Sequence, residues 1–265
     1  MTFAPALPFS GFGGWTVLKR TAPAQMAAFD AQPQQKRDVD YFRANIGKVK
    51  TADDLVADRR LLRVALGAFG LESDLNNKAF IRKVLAEGTL KEGAFANRLA
   101  DKQYQKLSAA FGFGDFKTPR NVISDFPDKM LAQFRQRGFE AAVGTQNTNF
   151  RLAMNIEREL PTLAAKTGSD DLLWLTVLGN APMRSVFQTA FGLPDSFASI
   201  DLDKQMETLK DKAASVFGSS SVRQFSDPKK LDGLVRQFLV RADIANGASA
   251  VQNSTALTLL QNIIR

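Results

Sequence analysis

The sequence predicts an all-α protein, multi-helical and built as two related halves. Three observations carry this. Apolar residues recur at helical spacing in segment after segment, β-branched alternation of the kind a strand needs is nearly absent, and one helix-stop motif occurs three times. That motif is Ala-Phe-Gly followed by an apolar residue, at Ala68–Leu71, Ala110–Phe113 and Ala190–Leu193. Glycine past the last turn can take the left-handed conformation, and the next apolar side chain then folds back on the helix it has ended.

Residues 1–20 read as an apolar arm, because Pro, Gly and Phe alternate there without helical period. Gly11-Phe12-Gly13-Gly14 lacks both a preceding strand and a following Gly-Lys-Ser/Thr, so it is read as part of the arm and not as a phosphate loop. Thr21 to about Asn45 is helical in composition, with a break at Pro33. A single helix is expected from Thr51 to Phe69. Thr51 is its N-cap, Asp54 completes a capping box, Asp53 and Asp54 favour the positive end of the dipole, and Leu55, Leu62, Leu66 and Phe69 form its apolar stripe.

A helix over Asn76–Glu87 follows, with Phe80, Ile81, Val84 and Leu85 inward and Gly88 as its stop. The next runs from about Glu92 to Phe111, burying Phe95, Leu99, Tyr104 and Leu107. Thr118-Pro119 looks like a cap with proline at the first helical position. After Pro127 a helical tract begins whose continuity Gly138 and Gly144 place in question. Later, Leu172–Leu178 is helical, Gly179-Asn180-Ala181-Pro182 interrupts it, and a helix resumes toward Phe191. The domain expectation is an arm at 1–20, one half at 21–126, a second at 127–245 packed on the first, and a C-terminal segment at 246–265. In that last segment Leu257–Leu260 and Ile263-Ile264 suit an amphipathic helix ordered by a partner or another subunit.

An internal duplication is expected because five features recur in the same order. Phe42-Arg43 with Asn45-Ile46 returns as Phe150-Arg151 with Asn155-Ile156, and Asp53-Asp54-Leu55 as Asp170-Asp171-Leu172. Ala68–Leu71 returns at Ala190, Asp101-Lys102-Gln103 as Asp203-Lys204-Gln205, and Phe111-Gly112 as Phe217-Gly218. The offsets drift between about 100 and 120 residues, so loops differ in length. One insertion is placed at the Gly179–Pro182 break.

Composition narrows the chemistry. The chain contains no Cys and no His, which removes disulfides, thiolate nucleophiles, Cys/His zinc sites and histidine bases. Phe accounts for 21 aromatic residues against two Tyr and two Trp, a skew toward packing. The net charge of +8 suits an acidic partner, an anionic surface or nucleic acid, but its basic residues are scattered in pairs such as Lys36-Arg37 and Lys229-Lys230. No stretch reaches the ~18–20 apolar residues that cross a bilayer, and Met1–Trp15 lacks the basic flank of a secretory signal.

Each chemical candidate has a simpler structural reading. Asp53-Asp54 and Asp170-Asp171 open helices, and neighbouring helical residues diverge by about 100° instead of converging on a ligand. Asp58-Arg59-Arg60 and Arg98/Asp101 read as local ion pairs within helices. Ser124-Asp125 with Lys129 makes no dyad on spacing alone. Trp15 reads as the anchor of the arm and Trp174 as core. The expectation is therefore no catalytic, cofactor-binding or metal site, and no cofactor.

The runs Tyr41–Arg43 and Lys48–Leu55, Asp58–Leu71, Asn77–Ile81 and Ala94–Tyr104 resemble a bacterial domain-of-unknown-function family, DUF1217, met mostly in alphaproteobacteria. The resemblance is dense over about residues 41–115 and looser to about 245. Its members are often described as flagellar through gene neighbourhood, and it implies no activity and no active-site residues. The expected function is a non-catalytic structural or assembly protein acting through protein–protein contacts with flagellar components or itself, and a basic nucleic-acid-binding protein is the alternative. It is expected to be cytoplasmic at synthesis, then flagellum-associated or exported without a cleaved signal.

Overall fold

The computed structural model describes the backbone of residues 3–263 and the side chains of residues 3–246. Thirteen α-helices and no strand occur among the described residues. They form two compact units. The first comprises residues 1–5 and 21–142, the second residues 6–20 and 143–265. The chain passes from one unit to the other inside α1 (Gly11–Asp30), after residue 20, and inside α8 (Phe126–Gln146), after residue 142.

Helix α1 corrects the reading of residues 1–20 as an arm. Its N-terminal half packs within the second unit, where Trp15 and Leu18 are buried and the Trp15 ring meets Phe150 at 5.9 Å. One of the glycines that hid the helix, Gly14, is required by close packing. A Cβ on Gly14 would lie 2.0 Å from the Phe9 carbonyl oxygen and 3.0 Å from the Phe150 ring. Only a residue without a side chain admits the preceding backbone there.

In the first unit α2 (Pro33–Asn45) leads into a 3-10 turn at Ile46–Lys48, then α3 (Ala52–Ala57) and α4 (Arg59–Phe69). The capping box forms as expected, with Thr51 accepting from the Asp54 N–H at 3.1 Å and Asp54 accepting from the Thr51 N–H at 3.0 Å. The single helix expected over 51–69 is nonetheless two. Asp58 leaves the helical conformation and N-caps α4, accepting from the N–H groups of Arg60 and Leu61 at 2.9 and 3.0 Å. Its carboxylate also receives the Tyr41 hydroxyl at 2.7 Å, so its role is capping and not a mid-helix ion pair. Helix α4 buries residues on nearly every face and packs against α2, α3 and the later helix at Gln103–Phe111, which places it at the centre of the unit.

Helix α5 (Lys78–Glu87) follows the sequence reading, burying Ile81, Val84 and Leu85 and ending at Gly88. The long helix expected over 92–111 is again divided, into α6 (Phe95–Arg98) and α7 (Gln103–Phe111). Asp101 accepts from the Gln103 N–H at 2.8 Å and starts α7, so it is not the ion-pair partner of Arg98. Thr118 caps nothing: Pro119 precedes only a 3-10 turn at Arg120–Val122. Helix α8 runs unbroken through Gly138 and Gly144. The Phe29 ring lies on Gly138 and meets Phe139 at 6.2 Å, so Gly138 admits a ring without ending the helix.

The second unit contains α9 (Thr148–Ala164), α10 (Asp170–Gly179), α11 (Ala181–Phe191), a 3-10 turn at 195–199, α12 (Leu202–Phe217), another at 222–226, and α13 (Pro228–Ile263). Phe187 on α11 is the hub of its core, with Trp174, Phe191 and Phe225 at ring separations of 5.3, 5.7 and 5.4 Å. Trp174 is buried as expected, and its indole N–H donates to the Ser220 carbonyl at 2.8 Å. The amphipathic face expected over 246–265 lies outside the residues whose side chains are described, apart from Asn246.

Element order runs in parallel in the two units. A helix (α2 or α9) is followed by two helices separated by one capping residue, Asp58 or Asn180. The second of these, α4 or α11, ends on a left-handed glycine. A 3-10 turn follows in each case, then three helices (α5–α7) in the first unit or one (α12) in the second ending on another left-handed glycine, a second 3-10 turn and a long helix. The break at Gly179–Pro182 lies between α10 and α11, where Asn180 caps α11 by accepting from the Met183 N–H at 3.1 Å.

Candidate functional site

The three Ala-Phe-Gly sites are helix ends in the structure. Gly70, Gly112 and Gly192 have φ of 73, 66 and 65°. At the first and third, the following leucine N–H reaches back to the carbonyl five residues earlier, Leu71 to Leu66 at 3.0 Å and Leu193 to Gln188 at 2.9 Å. At the second, the glycine N–H itself donates to Ser108 at 2.8 Å.

An arginine from the long helix of the same unit lies over two of these glycines. Arg137 on α8 sits 2.9 Å from where a Gly70 Cβ would be, and Arg241 on α13 sits 2.1 Å from that point on Gly192. A guanidinium at a helix C-terminus faces the negative end of the dipole and the last free carbonyls. Both arginines belong to a Gln-Phe-x-x-Arg run, Gln133–Arg137 and Gln237–Arg241. The sequence reading passed over this pair. Its signal was present, a shared pentapeptide pattern downstream of each Ala-Phe-Gly-Leu.

The carboxylates considered for chemistry have local partners. Asp54 is held below the ordinary carboxylate value by hydrogen bonds from the Lys50 and Thr51 backbone and the Thr51 side chain. Asp53 approaches Arg82 at 3.4 Å, and Asp171 pairs with Lys210. Asp170 accepts the Ser221 hydroxyl at 2.7 Å and the Val222 N–H at 3.1 Å, tying α10 to the 3-10 turn at 222–226. Lys129 pairs with Asp125 at 2.6 Å. The structure thus keeps the two Asp pairs and the Ser124/Lys129 group in separate local contacts.

Other polar groups do internal structural work. Asp38 is buried beneath Arg63 at 3.1 Å and Arg60 at 3.9 Å, and Arg60 also stacks on the Tyr41 ring at 4.0 Å. Asn121, 1% exposed, donates to the Ile46 and Val49 carbonyls at 2.7 and 2.8 Å. Burial, an Asp74 hydrogen bond and the Asp74 and Asp101 charges hold the Tyr104 hydroxyl well above its ordinary value. No group of three or more acidic, His or Cys side chains able to hold a metal occurs among the described residues.

Two concavities lie in the second unit. One is a polar hollow of about 350 Å³ lined by Ser10, Gly11, Asn147, Asn149, Asp243 and Asn246 among others. The other is a groove of about 970 Å³ between the end of α11 and α13. It exposes Val240 and Ile244, 42% and 66% accessible, beside Arg236 and Arg241.

A family model described as "Protein of unknown function (DUF1217)" matches residues 68–231. The chain belongs to that family. The DUF1217 match begins at the first Ala-Phe-Gly-Leu and ends on α13, so it draws on both units. The chain is also similar to protein AGR_C_984 from Agrobacterium tumefaciens, known from an X-ray crystal structure. Identity is 29%, coverage is 92% of this chain and 99% of that one, and the TM-score is 0.71. No curated protein matches. No helix among the described residues is long and apolar enough to cross a membrane.

Proposed function

We propose that this DUF1217 protein is a structural or assembly component without catalytic activity, working through protein–protein contacts. The observation that carries this reading is the groove on α13, where Val240 and Ile244 face solvent side by side next to two arginines. Contiguous apolar exposure rimmed by polar residues marks interaction surfaces. The local employment of the acidic pairs in caps and ion pairs supports the same view. A flagellar setting is part of the proposal and rests on the family resemblance. A common ancestral unit for the two halves is likewise proposed, supported by the parallel order of elements and the twice-used pairing of arginine with glycine.

The test is isolation of complexes from the native cell using the full chain and a chain ending at Ala245, with motility scored in a deletion strain. The shortened chain keeps every described core residue through Ala242 and is expected to fold, yet to lose association. Equal association of both chains would count against the C-terminal segment as an attachment point. The alternative, nucleic-acid binding, is motivated by the charge of +8. It requires affinity that falls steeply with salt in filter binding.

A further inference from the structure

We propose that the groove between α11 and α13 receives an acidic amphipathic helix of a partner protein. This rests on the protein-contact reading above and adds the surface and the chemistry. The groove follows α13 from Gly233 to Ala245, about 18 Å at 1.5 Å per residue, which matches three turns of a docked helix. Val240 and Ile244 lie one turn apart and form a single apolar strip, with Leu193 on the facing wall. Such a strip accepts apolar anchors spaced three or four residues apart.

The charges decide the occupant. Arg236 and Arg241 flank the strip, and neither has a carboxylate at ion-pair distance among the described residues. Arg236 lies over the Phe12 ring at 5.4 Å, and Arg241 lies over Gly192 at the end of α11. Asp195 is the single acidic residue lining the groove. Two guanidiniums against one carboxylate call for an occupant that brings carboxylates of its own. A second copy is a poor match, since the chain carries +8 and has no Asp or Glu after Asp243. The apolar strip is also not a demand of the shared Gln-Phe-x-x-Arg framework, because the corresponding positions on α8 are Gln136 and Glu140.

The experiment uses the full chain and three fluorescent helical peptides of about 15 residues: one with a leucine stripe flanked by glutamates, one with those glutamates replaced by lysine, and one with the leucines replaced by serine. Polarisation titrations are run on the wild type, on Ile244→Asp and on the double variant Arg236→Glu/Arg241→Glu. Circular dichroism confirms that both variants fold. The acidic leucine peptide is expected to bind the wild type and to weaken at least tenfold with either variant, while the other two peptides bind at least tenfold more weakly. Absence of acidic-peptide binding, equal binding of the lysine peptide, or binding that survives both variants overturns the proposal. So does a self-dimer in sedimentation that Ile244→Asp dissolves. Cellular association that persists in both variants but is lost on removing residues 246–265 would sink the groove and leave the protein-contact reading standing.

Discussion

Replacing Gly192 by alanine is expected to destabilise the second unit through the backbone first and the side chain second. At φ 65° and ψ 35° the residue is left-handed, where a Cβ costs about 1–2 kcal/mol. That Cβ would also lie 2.1 Å from Arg241 Nη1, the far end of a flexible side chain. The guanidinium can swing away and forfeits only its place at the α11 terminus, about 0.3–1 kcal/mol. The sum is about 1.5–3 kcal/mol, corresponding to a fall in Tm of roughly 4–10 °C for a unit of this size. Thermal unfolding followed by circular dichroism measures it. The two contributions separate in a cycle with Arg241→Ala: the backbone share persists in that background and the steric share disappears. Gly13→Ala is the control, since Gly13 sits in α1 with nothing within 4 Å of its Cβ position and no positive φ. It is expected to stabilise by about 0.4–1 kcal/mol. If Gly192→Ala were neutral or stabilising like this control, the reading of Ala-Phe-Gly as a left-handed helix stop would be refuted.

Asp58→Ala removes the cap of α4 and the acceptor of Tyr41, and is expected to cost about 1–2 kcal/mol in urea unfolding, with Asp58→Asn restoring most of the loss. Asn121→Ala takes the side-chain donor from the buried Val49 carbonyl, while the Ile46 carbonyl keeps the Val49 N–H, and the same assay is expected to show a loss of about 1–3 kcal/mol, against little change for a surface asparagine. Burial opposes ionisation of Asp115, but hydrogen bonds from the Leu90 and Thr89 backbone and the Thr89 hydroxyl, with the charge of Arg120, hold its carboxyl below the ordinary value. A depressed folded value means the stabilisation is complete above the unfolded carboxylate pKa and is lost as pH falls through the folded one. The difference in urea midpoint between wild type and Asp115→Asn is therefore expected near neutrality and should vanish in strong acid; a difference that grew on acidification would contradict the assignment.

The parts of the fold legible in the sequence were those set by local chemistry. Thr51 and Asp54 announce a capping box, Gly70 and Gly192 announce left-handed stops, and Ile81, Val84 and Leu85 announce a buried face, because each signal lies within one or two turns. The misread parts depend on distant atoms. Gly14 looks like a flexible joint until Phe9 and Phe150 are seen against it, and α1 was hidden for that reason. Asp58 could equally continue or end a helix, and the Tyr41 hydroxyl lies 17 residues away. Gly138 suggested a break, but the Phe29 ring fills its place within an unbroken α8. The groove was invisible in sequence for the same reason: nothing in the sequence separates Val240 and Ile244 from the inward residues of an amphipathic helix. Only the packed unit leaves them facing solvent beside two arginines.

The most direct test of the account is complementation of a deletion strain, reading motility and partner recovery together. Three full-length chains are compared with the wild type: Arg236→Glu/Arg241→Glu, Ile244→Asp, and Asp54→Asn/Asp170→Asn. The account predicts that the two groove chains fold but lose the partner and fail to complement, while the carboxylate chain, if folded, complements. Full complementation by both groove chains, with failure of a well-folded Asp54→Asn/Asp170→Asn chain, would contradict it and return the protein to carboxylate chemistry.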